Sequence, residues 1–465
     1  MLNAISGLMM MKKLYLIALV MMACNSGNEP AKPVVPPGED EPQQYGVPYA
    51  NVPATENIVL YEANIRALSA AGNFQGVIDK LDHIQSLGIN TLWLMPIHPV
   101  GQLKSAGGLG SPYAVQDYLK VNPEFGDLDK LRELVQKAHD RNIAVILDWV
   151  ANHTAWDNPW MQNKLWYVQD ASGNVIIPPG TNWQDVAELN YANSDMRAAM
   201  IHAMKYWILE ANVDGFRCDA VDYVPADFWK QALDELKAIK NRNLIFLAEG
   251  GKAENFTAGF QMNYAWDFYN NLREVYSNNR AATTIFTTHQ AEYNAIPAGA
   301  KKLRYTTNHD QSAYDGTPVE MFGGINGALS ASAITIFTST VPLIYSSQEV
   351  GQEEKLPFFT RQLIDWTAHA DMLQQYKKMF AIYNQTNAFK QGSLEYYSDN
   401  DIAVFTRTVT DDKYLVMVNT RNTPDTYTIA AALQNTTWTN AVDGSTVSLN
   451  STISLGAYQY LILKK

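Results

Sequence analysis

The stretch DLDKLRELVQKAHDRNIAVILDWV, residues 127–150, changes its period part-way along. Its first part spaces Leu128, Leu131, Leu134, Val135 and Ala138 three and four residues apart, which predicts an amphipathic helix. Its second part, AVILDWV, is a short apolar run that reads as a buried strand. The same alternation extends in both directions. IVLYEA (58–63), FQGVIDKLDHIQSLG (74–88) and NTLWLMPI (90–97) precede it. GFRCD, LIFLAEG, MNYAWD, KLRYTTNHD and VPLIYSSQE follow as strands, with SDMRAAMIHAMKYWILE, PADFWKQALDELKAIK, GALSASAITIF and DMLQQYKKMFAIYN as helices. Eight strands alternating with helices predict an α/β chain with a (β/α)8 TIM barrel over residues 55–390.

Residues 154–190 are too long for a βα connection, which usually takes about 2 to 6 residues. Their Trp, Pro and Asn content predicts a short inserted lid subdomain after the third strand. From 391 to 465 the pattern changes to strands such as DIAVFTRTV and AYQYLILKK joined by polar turns, which predicts a C-terminal antiparallel β-sandwich domain. Residues 25–54 are rich in Pro, Glu and Gly and read as a tether. Before them, Met11, Lys12 and Lys13 open an apolar run, Leu14 to Ala23, that is too short to span a bilayer. Residues 1–24 resemble a bacterial lipoprotein signal ending at a lipidated Cys24. An uncleaved anchor and a plain secretory signal are the alternatives. The first reading implies an exported protein, lipid-anchored to a bacterial membrane on its periplasmic face or at the cell surface. Cys218 is then the one remaining thiol, so no disulfide can form. The formal net charge of -12 argues against a nucleic-acid partner, whose phosphates would be repelled. It suits a neutral ligand, and nothing in the sequence sets the oligomeric state.

Polar residues gather where the predicted strands end. AVILDWV with the residues after it supplies Asp148, Asn152 and His153. GFRCD supplies Arg217 and Asp219, two apart and so on one face of a strand. FLAEG supplies Glu249, and TTNHD supplies Asn308, His309 and Asp310. In a (β/α)8 barrel the chemistry sits at these C-terminal ends.

DWVANH, GFRCD, FLAEG and TTNHD resemble, in order, the four signature segments of glycoside hydrolase family 13, the α-amylase family. GSPYAVQDY, VAELN and VPLIYSSQE extend the likeness from about Ile58 to the C-terminus. The resemblance implies Asp219 as nucleophile, Glu249 as acid/base and Asp310 as the carboxylate that stabilises a distorted sugar. It implies Tyr113, Asp148, His153, Arg217 and His309 as contacts of the reacting glucose, with Arg217 holding the pKa of Asp219 low. The chemistry agrees: retention needs one carboxylate to attack and a protonated one to donate to the leaving oxygen.

The implied function is an exported retaining hydrolase of α-1,4-glucosidic bonds in starch, maltooligosaccharides or related α-glucans, acting by double displacement. A transglycosylase on the same site and a surface glucan-binding lipoprotein are the alternatives. The resemblance implies no cofactor for catalysis. Asn152 and Glu188 fall where the family often has a structural Ca2+ ligand, although such loop residues are also commonly just solvated. Trp156, Trp160 and Trp183 are candidates for stacking on a glucan. Asp222 and Tyr223 stand where many members have Lys and His, and Ser346, Ser347 and Gln348 also depart from the family pattern.

Overall fold

Eight parallel strands close into a barrel in the computed structural model, which describes residues 41–338 and 340–465. They are β1 (Leu60–Ala63), β2 (Thr91–Leu94), β3 (Ala144–Val150), β4 (Gly215–Asp219), β5 (Ile245–Ala248), β6 (Met262–Tyr264), β7 (Lys301–Arg304) and β8 (Val341–Tyr345). Each pairs with the next, and β8 pairs with β1. The helix of the opening stretch spans Leu128–His139 and buries Leu131, Leu134, Val135 and Ala138. Asp127 caps it by accepting from the Lys130 amide, a bond that contributes about 1 kcal/mol.

Strand alternation sorts the side chains into two cores. Leu60, Trp93, Ala144, Ile146, Leu247 and Leu303 fill the barrel interior. Val145, Leu147, Trp149, Phe216 and Cys218 face the surrounding helices. The inward register also carries charge: Asp148 pairs with Arg217 across β3 and β4, so both reach the top of the interior at one level. At the start of β4 only glycine fits, because Gly215 has φ of 145° and a Cβ there would lie 1.9 Å from the Ile245 carbonyl oxygen.

MNYAWD is a strand only as far as Tyr264. The chain turns at Ala265, and Trp266–Ser277 is a helix that buries Phe268, Leu272, Val275 and Tyr276. A second helix, Thr284–Asn294, follows before β7. Residues 154–190 carry two short 3-10 turns, and a hairpin pairs His153–Ala155 with Val186–Glu188. The C-terminal strands form a six-stranded antiparallel sheet beside a two-stranded ribbon. That sheet includes Thr436–Asn440 and Thr446–Leu449, whose alternation of small polar residues hides them in the sequence.

Residues 43–54, read as the end of the tether, lie against the barrel. Gln43 N donates to Glu210, Tyr45 packs under the Arg132 guanidinium, and Tyr49 stacks on His139. Cys24 and the segment 1–24 lie outside the described residues. Among the described residues no helix is long and apolar enough to cross a membrane.

Candidate active site

The tops of β3, β4, β5 and β7 surround a pocket of about 930 Å³. Asp219, Glu249, His309 and Asp310 line it, with Tyr113 and His153. Arg217 organises its floor. Its Nη1 donates to Asp148 Oδ1 and to Asp219 Oδ1, each at 2.9 Å. Its Nη2 lies 3.0 Å from Glu249 Oε1, an ionic contact bent outside hydrogen-bonding geometry. The guanidinium is fully buried, so its charge acts on all three carboxyls with little screening.

Glu249 is fixed from both sides. The Ala220 amide donates to its Oε2 at 2.8 Å, and Ala220 adopts a left-handed φ of 47° to do so. Burial pushes the Glu249 pKa up to about 7; Arg217 opposes this, and the charges of Asp219 and Asp310 add to it. Asp219 is also raised, by burial first, although Arg217 draws it down. The expectation that Arg217 keeps the Asp219 pKa low is therefore corrected: desolvation outweighs one cation shared among three carboxyls. Asp219 keeps a hydrogen bond from Arg217 that favours its ionised form, whereas Glu249 has only the bent contact, which suits Glu249 to hold the proton.

The histidines differ. Asn152 Nδ2 lies 3.1 Å from His153 Nδ1, and burial lowers the His153 pKa to about 4. Burial also works to lower His309, but Asp310 and Glu62 outweigh it and raise the ring to about 9. Glu62, at the end of β1, was not singled out from the sequence, where a lone Glu in IVLYEA carries no motif. Its inward register on β1 was the available sign. Tyr113 bridges the site: its hydroxyl is 3.1 Å from Asp148 Oδ2 and 2.7 Å from His309 Nε2, and its ring stacks on that of His309.

A family model described as Alpha amylase, catalytic domain, matches residues 51–173 and 164–417. The chain belongs to this family. It is a glycoside hydrolase of the α-amylase type. The chain is 29% identical over 374 residues to Alpha-amylase 3 of Dictyoglomus thermophilum, covering 71% of each protein. The first four curated relatives are spanned to between 35% and 71% of their lengths. Among solved structures, a noncanonic maltogenic α-amylase from Thermotoga neapolitana superposes with a TM-score of 0.80 at 27% identity, covering 88% of this chain and 99% of that one. An α-amylase from Lactobacillus plantarum does so with a TM-score of 0.80 at 26% identity and the same coverage.

Where this member of the α-amylase family departs from the pattern, Asp222 and Tyr223 stand at the pocket wall and Ser346 and Gln348 are bonded within the barrel. Asp222 accepts from the Gly251 amide and from Asn255 Nδ2, fastening the loop after Glu249 to the loop after β4. Tyr223 lines the pocket and is 61% exposed. Ser346 accepts from the Asn64 amide, and Gln348 is buried between Thr306 and Tyr376. Of the three tryptophans, Trp183 lines the pocket edge-on to His153, whereas Trp160 packs on Tyr118 and Trp166 inside the insertion. Trp156 lies under Lys104 Nζ.

Asn152 and Glu188 lie on opposite sides of the hairpin, which is joined there by the Leu189 amide donating to the Asn152 carbonyl. Glu188 Oε2 is buried without a partner, a feature that a cation would relieve. Yet two side-chain donors fall well short of the roughly 6 to 8 oxygens calcium takes. No cluster of three or more His, Cys, Asp or Glu able to hold a metal occurs among the described residues.

Proposed function

We propose that the protein is an exported, retaining hydrolase of α-1,4-glucosidic bonds in starch, maltooligosaccharides or related α-glucans. The observation that carries this reading is one buried guanidinium, Arg217, held against both Asp219 and Glu249. Two carboxyls gathered on one cation suit direct attack by the first while the second donates a proton. Asp219, ionised, attacks the anomeric carbon as Glu249 gives its proton to the departing glycosidic oxygen. A sugar ester on Asp219 results. Glu249, now a base, takes a proton from water, and the hydroxide displaces Asp219 from the same carbon with a second inversion. Asp310, His153 and His309 hold sugar hydroxyls and favour the distorted ring. NMR of the first products from maltopentaose tests this: the α-anomer is expected before mutarotation, and early β-anomer would sink the double displacement.

The proposed location is a bacterial membrane surface, through a lipidated Cys24. The Pro-rich segment 25–42 then links the lipid to a barrel whose packed chain begins near Gln43. Cys24→Ser should release active enzyme into soluble fractions and abolish fatty-acid labelling. A variant that stays with membranes removes the lipoprotein reading.

A further inference from the structure

Glu62 is a buried carboxyl that packing does not require. It is the second-last residue of β1, fully buried, on the same inward register as Leu60. Its Oε1 is 2.5 Å from His309 Nδ1, and its Oε2 is buried without any partner. A buried carboxyl with a single hydrogen bond is costly, so an apolar residue there would stabilise the barrel better. The one bond therefore points to a role for its acceptor, directed at the histidine.

Counting protons along the network defines that role. The Tyr113 hydroxyl has one proton and two close neighbours, Asp148 Oδ2 and His309 Nε2. Asp148 accepts on both oxygens, Oδ1 from Arg217 and Oδ2 from Trp93 Nε1 at 3.1 Å. A bare Nε2 would compete with Asp148 for the single tyrosine proton, leaving two acceptors facing each other across one contact. Hydrogen on Nε2 removes the conflict: Nε2–H donates to the Tyr113 oxygen, and Tyr113 O–H donates to Asp148. The Nδ1–Glu62 bond needs a proton of its own. The pair therefore holds two protons, one between Glu62 and Nδ1 and one on Nε2.

We infer that Glu62 is a positioning residue: it holds the second proton of the pair at Nδ1 and so fixes the ring, while the Nε2 hydrogen that Tyr113 and Asp148 require donates into the pocket. The inference rests on the proposed glucan hydrolysis, in which Nε2–H passes from Tyr113 to a hydroxyl of the bound sugar. The charged and titratable groups facing the pair from each element are Tyr113 after β2, Asp148 on β3, Arg217 on β4, Asp310 after β7 and Tyr345 on β8. Trp93 and Phe358 pack edge-on against the His309 ring. The proton-rich state agrees with a His309 pKa of about 9.

The test is 15N NMR of histidine-labelled full-length protein without substrate, from pH 5.5 to 8, with the His309 signals assigned by their loss in His309→Gln. In the wild type, both ring nitrogens should stay protonated throughout. Glu62→Gln should keep hydrogen on Nε2, because its amide can donate to Nδ1. Glu62→Met can neither donate nor accept, so Nδ1 should lose its proton near neutral pH while Nε2 keeps its own. For maltotriose, the KM of Glu62→Met should rise by about fivefold or more, the difference between a positioned donor and an unfixed one, while kcat moves less. A bare Nε2 in the wild type at pH 7 overturns the inference, as does Glu62→Met with an unchanged Nδ1 signal and KM. If Glu62→Met does not fold, Glu62→Gln decides: its Nδ1 should carry no proton while Nε2 keeps one, and a doubly protonated His309 in that variant overturns the inference. If the wild type cleaves no α-glucan, the proposed function fails, and the spectra still decide the role of Glu62.

Discussion

The floor of the pocket and its rim are built on opposite principles. On the floor, Asp148, Arg217, His309 and Glu62 are buried and joined to one another, and Asp219 and Glu249 stand on Arg217. At the rim, Trp183 is 37%, Tyr223 61% and Tyr314 67% exposed, and they meet mainly other rings. Charges on the floor work in a low dielectric, so each neighbour sets the protonation of the next. Rings at the rim contribute area and stacking to whatever lies across them, largely independently. Substitutions should therefore act steeply and jointly on the floor, and shallowly and separately at the rim.

The largest effects are expected at the carboxyls. Asp219→Asn, Glu249→Gln and Asp310→Asn should each lower kcat by about 1000-fold or more, with folding intact by circular dichroism. Near-normal turnover in any one would remove that residue from the reaction. The pH dependence sharpens the same contrast. Glu249 donates a proton, so kcat/KM should fall as pH rises through about 7. Stability follows the same proton. The folded Glu249 binds it more tightly than the unfolded chain, so the native state loses stability as pH rises from the ordinary 4.5 through about 7. Glu249→Gln should thus raise the Tm at pH 8, with the gain vanishing below pH 4.5. An unchanged Tm difference across that window would contradict the raised pKa.

Intermediate effects are expected where floor and rim meet. Asp222→Ala frees the Gly251 amide and the Asn255 side chain, and should lower kcat by about tenfold through a looser Glu249. At the rim, Trp183→Ala and Tyr223→Ala should raise KM for long oligosaccharides by about 2- to 10-fold with kcat unchanged. Trp183 and Tyr314 meet different rings, so their double alanine variant should equal the sum of the singles, and strong coupling would show that the rim behaves like the floor. The smallest effect belongs to the insertion. Chelation should leave the Tm within about 1 °C, since Asn152 and Glu188 supply too few oxygens for calcium. A fall of several degrees, reversed by added Ca2+, would mean that carbonyls and water complete a site there.

The barrel was legible because its signals are local. The change of period within residues 127–150 follows from which side chains must leave water, and a helix and a strand answer that demand with different spacings. The helix Trp266–Ser277 was missed because MNYAWD continues a β-like run past Tyr264, although Phe268, Leu272, Val275 and Tyr276 keep a helical spacing. The residues lining the pocket were legible for a related reason: polar residues closing apolar strands stand out against their own segment. Their protonation was not. Arg217 lies two residues from Asp219 in sequence, but only the closed barrel brings Asp148 and Glu249 to the same cation. Glu62 and His309 are 247 residues apart, and no local pattern relates them. The sequence alone determined which groups stand at the strand ends, because alternation and hydrophobicity act along the chain. The tertiary structure decided which of those groups hold protons, because desolvation and Coulomb interactions depend on distances through space.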